Sequence, residues 1–152
     1  MAHDPFNLER FVSAQATTYH AARQELQRGR KQTHWMWFIF PQIEGLGQSP
    51  TSKLYAIKSK QEARHYLRHP LLGARLVECA NILLGLKGRS AHEIFGSPDD
   101  LKLKSSMTLF EQLEGQDSVF SKVLDMYFLG EQDTRTVELL HRQGSRKEDH
   151  DA

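Results

Sequence analysis

The chain has 152 residues, with 20 Lys and Arg against 19 Asp and Glu and a formal charge of +1. That length makes one domain with an ordinary core, and so even a balance supplies no field to gather nucleic acid or an anionic membrane surface. A single cysteine, Cys79, excludes an internal disulfide, and with no apolar signal stretch around Asp4 and Glu9 the expected location is the cytoplasm.

Asn7 is placed to cap a first helix running to Gly29, with Leu8, Phe11, Gln15, Tyr19, Ala22 and Leu26 on one stripe. Gly29 then stands where a left-handed C-terminal residue is expected. Gln15 is an amide on a core-facing stripe, and burying it unpaired is costly. Tyr19, one turn on, is its nearest partner in sequence. A closed core network is the favoured reading, and a pocket-lining donor is the functional one.

Residues 34 to 43, His34-Trp35-Met36-Trp37-Phe38-Ile39-Phe40-Pro41-Gln42-Ile43, hold both tryptophans and the densest apolar run. Such a run must be enclosed on several sides, and it is far short of the roughly 20 residues of a membrane span. An aromatic floor edged by His34 and Gln42, beside the polar loop Gly45–Lys53, is how many small-molecule sites are built. The loop, with Ser49 and Ser52, suits phosphate or ribose oxygens. It lacks the Gly-Lys-Ser/Thr ending of a P-loop, and an ordinary turn capping the next helix explains it nearly as well.

Leu54 to Ile57 reads as the start of a short helix. Ser59 and Glu62 form a capping box for a helix through His69, and Pro70 reads as the first residue of the next, with Leu72, Leu76, Cys79 and Leu83 inward. Glu62, His65 and His69 share a face, but nothing supplies a fourth ligand, so no metal is expected. Ser90 with Glu93 caps a brief helix ending at Gly96; Ser97-Pro98-Asp99-Asp100 starts another. Ser118 opens the next, stopped at Gly130, and Asp133 caps the last. Period-two alternation is not sustained anywhere. The fold class is therefore all-α: a compact helical domain over 1–143, with a charged, disordered tail at 144–152.

On the helix after Asp100, Lys102 and Ser106 lie one turn apart beside the buried stripe. A partly desolvated lysine near serine hydroxyls suits anion binding or nucleophilic chemistry. Surface bridges Asp99–Lys102 and Asp100–Lys104 are the bland alternative. The cluster Arg28-Gly29-Arg30-Lys31 reads as a solvated helix end.

These strings together are distinctive. His34 to Gln42 followed by Gly45-Leu46-Gly47, Tyr55-Ala56-Ile57, His69-Pro70, Ile94-Phe95-Gly96 and Ser105-Ser106-Met107-Thr108-Leu109-Phe110 resemble the DUF1810 family, proteins of unknown function, from roughly Phe6 to Leu140. The resemblance implies a multihelical fold and carries over no established activity. Thr33 and Lys104 stand where the family pattern has Ser and Arg; the second change weakens any bidentate anion contact there.

The reading is a helical domain with a pocket for a polar or phosphorylated, nucleotide-like metabolite, in the manner of a transferase or hydrolase. Catalytic candidates are His34, Lys102 and Ser106. Ligand contacts are expected from Gln15, Trp35, Trp37, Gln42, Ser49, Ser52 and Ser105, with no cofactor and no membrane or nucleic-acid partner. The second reading is a non-catalytic protein-interaction or scaffold domain.

Overall fold

The computed structural model describes the backbone of residues 4–151 and the side-chain surroundings of residues 4–143. Its elements are α1 (Glu9–Arg28), α2 (Met36–Ile39), α3 (Pro50–Leu54), α4 (Lys60–Arg68), α5 (Leu72–Gly85), α6 (Ala91–Phe95), α7 (Asp99–Glu114), α8 (Val119–Phe128) and α9 (Thr134–Asp151). The architecture is all-α. Among the described residues the only β-type pairing is an isolated parallel bridge between Ile43 and Ile57. The tail expected to be disordered, 144–152, lies outside the residues whose side chains are described.

Two helices form the centre. The apolar face of α5, with Leu72, Leu76, Cys79 and Leu83 fully covered, packs on α1, α2, α4 and α8. Helix α7 packs on α4, α6, α8 and α9, burying Leu103, Met107, Leu109 and Phe110. Gly73 lets α5 approach the end of α4 closely: a Cβ there would collide with the Leu67 carbonyl. No described helix is long and apolar enough to cross a membrane.

Local chemistry sets most helix ends. Gly29 closes α1 at φ 74°, with Arg30 N–H donating to the Glu25 carbonyl and Gly29 N–H to that of Leu26. Ser59, Ser90, Ser118 and Asp133 each accept a backbone N–H at the start of a helix. Three ends depart from the sequence reading. Asp4, not Asn7, caps α1, accepting from Leu8 N–H and Glu9 N–H, while Asn7 turns the chain at φ 52°. Helix α5 begins after Pro70, where His69 Nδ1 accepts from Leu71 and Leu72 N–H. Tyr55 to Ile57 is not helical. The short helix comes earlier, at Pro50 behind its cap Ser49, and Ile57 N–H donates to the Gln42 carbonyl instead.

Two networks around buried carboxylates, Glu62 and Glu25, lock the frame. Arg10 donates to the carbonyls of Phe6, Asn7, Leu54 and Ala56, and its Nη2 lies 2.6 Å from Glu62 Oε2. One guanidinium thus joins α1, the 54–57 segment and α4. Glu25 accepts from Gln32 N–H, Thr33 N–H, the Thr33 hydroxyl and Trp35 Nε1. Burial by itself raises a carboxyl pKa, but these bonds outweigh it and hold Glu25 at about 2.

Candidate ligand-binding cleft

A cleft of about 440 Å³ opens between the loop at 42–52 and the first turns of α7. Trp37, Gln42, Leu46, Gly47, Gln48, Ser49 and Ser52 form one side; Pro98, Leu101, Lys102, Ser105 and Asp133 form the other. Trp37, Gln42, Ser49, Ser52, Lys102 and Ser105, all nominated from sequence, therefore meet around one opening. Behind it, a cavity of about 20 Å³ shares Trp37, Gln42, Gly47 and Ser52 with the cleft, room for about one water. The buried Trp37 Nε1 has no hydrogen-bond partner among the described residues. Gly47 admits Ser52 to this wall, since a Cβ at Gly47 would collide with the Ser52 side chain.

Lys102 Nζ lies 4.5 Å from the Trp37 ring centroid and 3.1 Å from Asp99 Oδ1. The other Asp99 oxygen takes Lys31 Nζ at 2.9 Å. Burial pushes Asp99 upward, yet the two ammonium groups prevail and hold it below the usual carboxylate range. Two cations on one carboxylate make this end of the cleft positive. Lys31 is 8% exposed, tucked over Trp35, so Lys102, at 22%, is the cation that faces the cleft.

The opposite end is acidic. Asp133 Oδ2 accepts from Ser105 Oγ at 3.0 Å, from Thr136 N–H at 3.2 Å, and from the Thr136 hydroxyl. Its backbone N–H donates to Thr108 Oγ1 at 2.9 Å. One carboxylate oxygen is thus saturated by the α9 cap, while Oδ1 makes no hydrogen bond among the described residues.

Four nominated residues lie elsewhere. His34 is exposed and does not line the cleft, because the chain turns Trp35 inward immediately after it. Trp35 is wholly buried and hydrogen-bonded to Glu25, leaving no face for a ligand. Gln15 sits in the core, donating to the Phe38 carbonyl at 2.7 Å and the Tyr66 hydroxyl at 3.1 Å, and accepting from Arg75. Its expected partner Tyr19 instead donates to Glu78. Ser106 is buried, its hydroxyl unpartnered among the described residues.

Other polar groups settle differently from the sequence reading. Asp99–Lys102 forms, but Lys104 pairs with Glu131 and Asp100 approaches His92. Lys31 is not solvated; its neighbours in sequence are basic, and nothing local reports the Asp99 carboxylate that draws it in. Glu62, His65 and His69 have separate partners: Glu62 pairs with Arg10, His65 packs on Phe6, and His69 caps α5, although both histidines line one cavity beside Asp4 and Phe6.

The fold and its packing agree with the comparisons. The chain belongs to the family described as Protein of unknown function (DUF1810), whose model matches residues 5–140. It is similar to a conserved hypothetical protein from Mycobacterium tuberculosis known from a crystal structure. The two share 53% identity, with a TM-score of 0.89 over 91% of this chain and 99% of that one. No curated protein matches the chain.

Proposed function

We propose that the protein binds a small phosphorylated metabolite, up to nucleotide size, with its phosphate against Lys102. The carrying observation is the uneven ion pairing: Lys31 and Lys102 share Asp99, and Lys102 is the one on the cleft. An incoming anion can meet Lys102 at this positive end while Lys31 keeps Asp99 paired. Ser49 and Ser52 stand across the opening, where their hydroxyls bond within the turn that starts α3 and would have to rotate to meet a ligand; the volume of about 440 Å³ lies in the ordinary range for small-molecule sites. Of the two residues nominated as base, His34 does not line the cleft and Lys102 does, paired there with Asp99, which suits it to hold an anion.

Calorimetric titration with AMP and with inorganic phosphate tests this reading. Lys102→Met should weaken both by about tenfold, the loss of one charge-assisted contact. Native mass spectrometry of freshly purified protein should find a retained phosphorylated molecule. No saturable binding of either probe, with nothing retained, would overturn it. The protein-interaction reading draws support from exposed Leu54, Leu101, Met126 and Leu129. These stand on α3, α7 and α8 and beyond the end of α8, and single exposed apolar residues are common on protein surfaces.

A further inference from the structure

We infer that the cleft takes a phosphorylated sugar in one orientation, phosphate on Lys102 and ring hydroxyls on Asp133. This rests on the reading of the cleft as a phosphate site and assigns what fills the rest of it. A bare anion would use Lys102 alone. It would be repelled from Asp133 and would make no use of that carboxylate or of the Trp37 indole N–H.

Those two groups have opposite needs. Asp133 Oδ2 is occupied by Ser105 and Thr136, which hold the carboxylate still and leave Oδ1 free to accept, on a residue that lines the cleft. Trp37 Nε1 is a buried donor without a partner among the described residues, and Trp37 lines both the cleft and the inner cavity. An ionised carboxylate only accepts and an indole N–H only donates, whereas a hydroxyl does both. Several hydroxyls on one small ring meet both demands. An ammonium would suit Asp133 but would face Lys102 and could not accept from Trp37.

Lys102 and Ser105, whose hydroxyl donates to Asp133, are three residues apart on α7, and all three residues line the one cleft. Leu46, Pro98 and Leu101, the last 59% exposed, give the rim apolar surface for the carbon face of a sugar.

Titrate inorganic phosphate, ribose and ribose 5-phosphate into the wild type, Lys102→Met and Asp133→Asn. Asparagine preserves the helix cap, so the fold should survive. Ribose 5-phosphate should bind about tenfold or more tightly than phosphate, and Asp133→Asn should remove most of that advantage without weakening phosphate, which loses a repelling charge. Lys102→Met should weaken both phosphorylated probes. The Trp37 indole resonance, assigned with Trp37→Phe, should move with ribose 5-phosphate and little with phosphate; this works in the wild type even if a variant misfolds. Equal affinity for the two probes, or an unmoved indole at saturation, overturns the sugar assignment alone. Phosphate and ribose 5-phosphate both failing to bind sinks the phosphate reading and this one with it.

Discussion

Glu25→Gln separates the charge of a buried carboxylate from its shape. Glu25 is 5% exposed and takes four hydrogen bonds that gather Gln32, Thr33 and Trp35 at the end of α1. Its pKa falls from an ordinary 4.5 to about 2. The difference, two and a half pH units at roughly 1.36 kcal/mol each, corresponds to about 3 kcal/mol of stability held by the ionised form. Glutamine keeps the volume and one acceptor oxygen, and the Thr33 hydroxyl can reverse to accept from the new amide. The expected cost at neutral pH is therefore about 2–3 kcal/mol, the charge-assisted part of the four bonds. Because the folded pKa is depressed, the contribution is complete above pH 4.5, shrinks as pH falls, and is gone near pH 2. Urea melts of both proteins at stepped pH would follow it. A wild-type advantage that stays constant down to pH 3, or one below about 0.5 kcal/mol at pH 7, would refute the reasoning.

Other consequences follow from the same packing. Arg10→Ala should destabilise by about 3–5 kcal/mol in urea melts, because it strands Glu62, only 2% exposed, without its partner. Arg10→Lys should recover little of this, since an ammonium cannot span the four carbonyls and the carboxylate. Acrylamide should quench Trp35→Phe, which retains only half-buried Trp37, far more than Trp37→Phe, which retains only buried Trp35; equal quenching would contradict the burial assigned to each. Cys79 should resist a thiol reagent at pH 8 until the protein unfolds, because burial and then the Glu78 charge push its thiol up to about 12.

What the sequence by itself determined is mostly what lies within a turn or two of chain. Ser59, Ser90, Ser118 and Asp133 cap helices because a side-chain oxygen and an orphan N–H two or three residues on are never far apart. Gly29 ends α1 for an equally local reason, the freedom of glycine at positive φ. The apolar periodicity of α5 fixed its inward face. The meeting of Gln42 with Lys102 and Ser105 had a trace in the sequence, since polar groups set in apolar stretches are cheaper together than apart, but the same argument drew in Gln15, which the core took instead.

Only the tertiary structure decided the partners. Gln15 meets Tyr66 and Arg75, 51 and 60 residues away, rather than Tyr19 one turn along. Lys31 left its basic neighbours for Asp99, and Ile57 left helical pairing for the Gln42 carbonyl. Trp35 and Trp37, two residues apart in the same run, ended as a core side chain and a cleft wall. Periodicity and composition report that a group must be buried or paired. Which group satisfies it depends on how helices distant in sequence come to pack, and that is set by the sum of many weak contacts across the core.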